Sequence, residues 1–175
     1  MKKIVLTLMF ILGLYGNAIA GEKGVNIYEV PRALPKHEII HNDLKHYSLT
    51  DFKDKFILVM FWSRNCSPCI KELESINNMA KQVESNGIKV VLISSSREWG
   101  SMEEQKKFLT KYGAPDIDFY TDENSRLAAK FGIFTSPHTV LINKKSEEIG
   151  RIRGAADWDD EKVIEYIYKL KAQHG

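Results

Sequence analysis

The sequence predicts an α/β domain with a central mixed β-sheet flanked by helices, and three patterns carry that prediction. Residues 56–62 (FILVMFW) are almost continuously apolar, as a strand covered on both faces must be. Ile70, Leu73, Ile76, Met79, Ala80 and Val83 then recur at helical spacing, and residues 88–93 form a second apolar run. Strand, helix and strand in that order require a right-handed crossover and a parallel pair. Residues 139–142, a polar turn and residues 148–153 read instead as an antiparallel hairpin, which makes the sheet mixed.

Taken in chain order, residues 1–20 have the three parts of a secretory signal. Lys2 and Lys3 come first, an apolar core covers 4–14, and Ala18-Ile19-Ala20 precedes Gly21. Cleavage is expected, with an uncleaved membrane anchor as the alternative, and either places the protein in the periplasm or otherwise outside a bacterial cytoplasm. Removing these 20 of 175 residues leaves 155, enough for one domain with a real core. It also takes the 25 basic residues to 23, matching 23 acidic ones. A formal charge of zero gives nucleic acid or an anionic membrane surface no electrostatic hold.

Residues 21–45, with Pro31, Pro35 and several charges, lack a sustained period and read as an extended or irregular lead-in to a domain spanning 46–175. Tyr47 to Leu49 suggests a short edge strand, residues 51–55 a turn, and Asn86-Gly87 a left-handed stop for the first helix. Ser94 to Ser96 reads as polar loop. Ser101 caps a helix through Tyr112, with Glu103 and Glu104 in its first turn and Gly113 ending it. Residues 117–120 suggest a strand, and Asp122 or Asn124 starts a short helix ended at Phe131-Gly132. Asp157 caps a last helix that turns Val163, Ile164, Ile167 and Leu170 inward.

The chemistry rests on Cys66-Ser67-Pro68-Cys69, which holds both cysteines of the chain. At a strand-to-helix junction the first sulfur meets unsatisfied backbone N–H groups and the positive end of a helix dipole, and both favour thiolate. A purely structural bridge is the competing reading for an exported protein. Its two-residue spacer closes so short a loop that it restrains the unfolded chain little. A redox pair is therefore the expectation, with no cofactor beyond a Cys66–Cys69 disulfide and no metal.

These residues resemble the thioredoxin superfamily and, within it, the bacterial extracytoplasmic thiol-disulfide reductases of the TlpA/ResA-like group. The resemblance covers about residues 46–171 and rests on residues 47–52 (YSLTDF), Phe61-Trp62, the cysteine motif followed by Glu72, Thr135-Ser136-Pro137, and Gly154. It implies a thioredoxin fold with that group's extra strand and helix between Ile93 and Phe131. Cys66 is then the nucleophile and Cys69 the resolving thiol, with Ser67 and Pro68 tuning the redox poise. Pro137 is implied in the cis form, with Ser136 as a substrate contact through its backbone. Glu72 is implied near the pair, where it accepts the Cys69 proton or raises thiol pKa values; a solvated helix residue like Glu74 is the alternative. Trp62 packs beneath the motif and lines the substrate groove. Asn65 replaces a customary Trp, which should make the sulfur's surroundings wetter, and Met60 replaces the buried Asp of cytoplasmic thioredoxins.

By the same resemblance, the expected activity is reduction of protein disulfides, apocytochrome c among the clients, with electrons from a membrane thiol-transfer protein. Disulfide oxidase or isomerase chemistry uses the same two sulfurs. A Cu(I)-binding metallochaperone using Cys66, Cys69 and His138 is a rival, although His138 reads first as a surface or strand-edge residue. No Pro-x-x-x-Thr-x-x-Cys sequence supports a peroxidase. The His37-Glu38-Ile39-Ile40-His41 run matches the zinc-protease pattern, but lies in a segment too short and irregular for the helix that pattern needs. Trp99 is read as a packing or groove residue, and Trp158 as docking the last helix.

Overall fold

Residues 24–175 are described by the computed structural model; the predicted signal, 1–20, lies outside them. Strand β4 (Phe56–Phe61), all six of whose residues are buried, forms the middle of an eight-stranded sheet. Helix α1 (Ser67–Glu84) crosses to β5 (Ile88–Ser95), parallel to β4, while β7 (His138–Ile142) runs antiparallel on β4's other side. Alternation along β4 divides the core into two layers. Phe56, Leu58, Met60 and Trp62 pack with Leu73, Ile76 and Met79 of α1 and with Ile164 and Ile167 of α4 (Glu161–His174). Ile57, Val59 and Phe61 face Leu127, Phe131 and Ile133 on the other side. Gly87, at φ +71°, ends α1 in the left-handed conformation expected of it.

Between β5 and β7 lie α2 (Met102–Lys111), β6 (Phe119–Asp122) and α3 (Arg126–Lys130), which include the strand and helix that the resemblance implied. Ser101 caps α2, its hydroxyl accepting the Glu104 N–H at 3.1 Å. Strand β8 (Glu147–Arg153) completes the hairpin with β7.

Four local readings change. The supposed lead-in contains β1 (Val25–Ala33), paired with β8, and β2 (Glu38–His41), paired with β6 and with the edge strand β3 (His46–Ser48). Strand β1 is an edge strand and largely exposed, and β2 fully buries only Ile39, so no apolar run marked them. Ser94 and Ser95 belong to β5, and Ser94 is buried because its hydroxyl accepts from Trp99 Nε1 (2.8 Å) and Gln105 Nε2 (2.9 Å). The strand read at 117–120 begins at Phe119 and ends at Asp122, whose carboxylate accepts the N–H groups of Leu127 and Ala128, both at 2.9 Å. Asp160, not Asp157, caps α4 through the Lys162 N–H at 2.9 Å. Residues 157–160 stay outside the helix because Trp158 turns inward to bury its indole.

The zinc-protease reading fails on secondary structure. Glu38 to His41 is strand, and four residues of strand span about 13 Å, too far for two imidazoles to share an ion. His37 instead approaches Asp122 at 3.6 Å, and His41 pairs with Asp43 at 2.8 Å.

Candidate active site

Where β4 ends, Trp62 keeps one more ladder bond, its N–H donating to Ile93 O at 2.9 Å. The chain then turns: Cys66 N–H donates to Ser63 O at 3.1 Å, and Asn65 N–H to Ser63 Oγ at 3.1 Å. That turn delivers Cys66 to the N-cap of α1. Ser67 and Pro68 occupy the first turn, and Pro68 supplies no N–H there. The donor that reaches the sulfur is the Cys69 N–H, 3.3 Å from Cys66 Sγ. A thiolate at this position gains both that hydrogen bond and the helix dipole.

Cys66 and Cys69 are joined by a disulfide with Cα atoms 5.3 Å apart. Cys66 is half-buried, Cys69 fully buried, and Asn65, Ser67 and Pro68 are exposed, so only one of the two sulfurs can be reached from solvent. Asn65, where the resemblance has a Trp, is exposed.

The second wall comes from the segment before β7. The Ser136–Pro137 peptide is cis, and the Ser136 carbonyl oxygen lies 3.5 Å from Cys66 Sγ. Gly154 N–H donates to Pro137 O at 3.1 Å, which ties this loop to the end of β8. Beside it opens a cavity of about 360 Å³ with Phe61, Trp62, Ile93, Phe134 and Ser136 among its lining residues. Trp62 is buried, packs against Trp99 with ring centroids 5.7 Å apart and planes tilted by 44°, and lines this cleft.

Glu72 is on α1, one turn beyond Cys69, and only 5% exposed; the solvated alternative does not apply. Its Oε2 accepts from Trp158 Nε1 (3.0 Å) and from the Ala156 N–H (3.1 Å). Burial pushes its carboxyl up to about 7, with those two donors opposing the shift. Trp158 is fully buried and, through Glu72 and a bond from its N–H to Ser75 Oγ (3.2 Å), docks the segment before α4 on α1. A carboxylic acid that titrates near neutrality, on the helix bearing both sulfurs, can give or take a proton there.

His138 is not a surface residue. It opens β7 between Phe61 and Arg153, is buried, and is held down to about 4 by desolvation and by Arg151 and Arg153. Among the described residues no three His, Cys, Asp or Glu side chains are placed to hold a metal ion, so the copper reading gains nothing.

Two residues of this site escaped the sequence reading. Phe134, 84% exposed, stands two residues before Ser136 at the mouth of the cleft. An apolar residue just before Thr135-Ser136-Pro137 was the available signal. Arg64, two residues before Cys66, left none, since its partners come from residues 98–108.

The comparisons agree with this geometry. Residues 29–168 match the Redoxin family. The thiol-disulfide oxidoreductase ResA of Bacillus subtilis (strain 168) is 26% identical over 170 residues, covering 96% of this chain and 90% of that protein. The ResA of Bacillus thuringiensis subsp. konkukian (strain 97-27) is 24% identical over 144 residues, 81% of this chain and 79% of that one. Among solved structures, a putative thiol:disulfide interchange protein DsbE from Chlorobium tepidum superposes with a TM-score of 0.68 at 19% identity, over 79% of this chain and 95% of its own. StoA from Bacillus subtilis superposes at 0.63 with 21% identity, over 77% and 98%. With the family matched across most of its length and the thioredoxin fold in place, the chain belongs to the Redoxin family, as a thioredoxin-like oxidoreductase.

Proposed function

We propose that this oxidoreductase acts outside the cytoplasm and reduces disulfides in client proteins through Cys66 and Cys69. The observation that carries the chemistry is the asymmetry of the pair: Cys66 is half-exposed at a helix N-cap, with Cys69 sealed behind it. The Cys66 thiolate attacks a client disulfide, forming a mixed disulfide and expelling one client thiolate. Cys69, its proton taken by Glu72, then attacks Cys66 Sγ; the second client thiolate leaves and the 66–69 disulfide remains. Ser136 and Pro137 border the attacking sulfur, and an extended client chain pairs with the backbone there. Ser67 and Pro68 set how many N–H donors face Cys66, and so the potential. Kinship to the ResA group supports the reducing direction, a membrane thiol-transfer protein as electron donor, and apocytochrome c cysteines as clients. The signal-like residues 1–20 support export.

Two measurements test the direction. Reduced protein should precipitate insulin by cleaving its interchain disulfides. The 66–69 pair equilibrated with glutathione should have a potential near the about −270 mV of thioredoxin. A value near the about −120 mV of a strong oxidant would reverse the proposed electron flow.

Phe134 offers an exposed aromatic surface where a client chain must pass. Phe134→Ser should raise KM for an unfolded protein disulfide about fivefold, the loss of roughly 1 kcal/mol of apolar contact, with kcat little changed. Steady-state kinetics with denatured, oxidised ribonuclease would show it, and an unchanged KM would remove Phe134 from the client surface.

A further inference from the structure

Arg64, two residues before the attacking sulfur, joins segments that the chain brings from far apart. Its backbone N–H donates to Glu98 Oε2 at 2.8 Å. Its Nη1 donates to the Glu98 carbonyl at 2.9 Å and to Glu104 Oε1 at 2.7 Å. The guanidinium carbon lies 4.7 Å from the Trp99 ring centroid and 5.5 Å from that of Phe108. Trp99 packs in turn on Trp62 (5.7 Å) and Phe108 (5.4 Å) and is fixed through Nε1 to Ser94. The connector from β4 to Cys66 is therefore fastened to the 96–112 segment by charge, by backbone and by stacking.

Glu104 shows that this fastening displaces a simpler arrangement. It is the third residue of α2 behind the N-cap Ser101, where a glutamate ordinarily reaches back to the N-cap N–H. Here Oε2 takes the Gly100 N–H at 2.8 Å, and Oε1 takes Arg64. Arg64 also holds the Glu104 carboxyl below its ordinary range. On the other side of the connector, the exposed Asn65 supplies no ring to brace Cys66.

We infer that Arg64 is a positioning residue for Cys66: anchored on Glu98, Glu104 and Trp99, it holds the connector so that Cys66 Sγ faces the Cys69 N–H and the Ser136 carbonyl. The 96–112 segment thereby becomes the brace of the nucleophile. This role rests on the disulfide-exchange reading, and the test separates the two. In reduced full-length protein carrying Cys69→Ala, the pH dependence of alkylation by iodoacetamide reports the Cys66 thiolate without any client. Arg64→Ala should move its midpoint to higher pH. With Cys69 restored, Arg64→Ala should lower kcat for insulin about tenfold with KM little changed, the cost of a slightly misplaced nucleophile. Arg64→Lys should not restore either value, because an ammonium has neither the planar fork nor the stacking face. Glu104→Gln should shift both the same way by less.

An unchanged midpoint and kcat accompanied only by a lower Tm would make Arg64 a structural residue and overturn the inference. Full recovery in Arg64→Lys would assign the effect to charge alone and overturn it too. A wild-type protein unable to reduce insulin would count against the proposed function, while the alkylation midpoint would still decide the positioning role.

Discussion

Cys66→Ala should abolish disulfide exchange, while Cys69→Ala should leave the first half of the reaction intact and stop it there. The two sulfurs differ in what can reach them. Cys66 is half-exposed, 3.5 Å from the Ser136 carbonyl, and receives the Cys69 N–H. Cys69 is completely buried, so it can attack only a sulfur already held at Cys66. Without Cys66, insulin reduction should fall by roughly a thousandfold or more, to the level of solvent thiols. Without Cys69, the mixed disulfide between Cys66 and client has no internal thiol to resolve it. It should accumulate as one covalent adduct per protein, visible on a non-reducing gel and by intact mass. Exchange that persists in Cys66→Ala, or adducts that form on Cys69 in that variant, would refute the assignment of roles. Since α1 buries Leu73, Ile76 and Met79 independently of the sulfurs, both variants should fold, and circular dichroism would verify it.

Much of this site could be read before the structure, because its parts lie close together along the chain. The apolar run of β4, the cysteine motif and the helical spacing of α1 adjoin, and each follows a local rule of periodicity or capping. The edges were illegible for a matching reason. Strand β1 buries no residue fully and β2 only Ile39, so their pairing with β8 and β6 leaves no apolar run. Ser94 was misread because polar residues in a row signal a loop, whereas here Trp99 and Gln105 supply the donors that let a hydroxyl be buried inside a strand. Asp157 and Asp160 are equal candidates for a cap by residue type; the choice between them depends on Trp158, ahead of α4, donating to Glu72 on α1. His138 reads in the sequence as a surface or strand-edge residue, yet the three-strand pairing of β4, β7 and β8 buries it. What sequence spacing cannot reveal, in each case, is a partner that arrives from elsewhere in the fold.

Glu72→Gln should change the pH dependence of both stability and catalysis, and the stability effect has a definite sign. Burial raises the Glu72 carboxyl from 4.5 to about 7. Between those values the folded protein holds a proton that the unfolded chain releases, so this group's contribution to stability is fully present below 4.5 and is lost as pH rises through 7. The loss amounts to about 3 kcal/mol. His138 acts oppositely: held down from 6.5 to about 4, it stays neutral in the fold while the unfolded chain binds a proton, so stability gained from it increases with pH over that window. In the wild type the two slopes largely cancel between pH 4.5 and 6.5. Gln removes one of them. Its amide oxygen can still accept from Trp158 Nε1 and the Ala156 N–H, but it cannot ionise. Urea unfolding of Glu72→Gln should therefore show stability climbing steadily with pH from 4 to 6.5, and by pH 8 the variant should exceed wild type by about 3 kcal/mol more than at pH 4. Catalysis should move the other way. With no carboxylate to take the Cys69 proton, resolution of the mixed disulfide should slow by roughly a hundredfold at neutral pH, and rapid quenching should trap the adduct at Cys66. Parallel stability curves for variant and wild type would mean that Glu72 titrates normally despite its burial. An unaltered resolution rate would mean that water, not this carboxylate, accepts the proton.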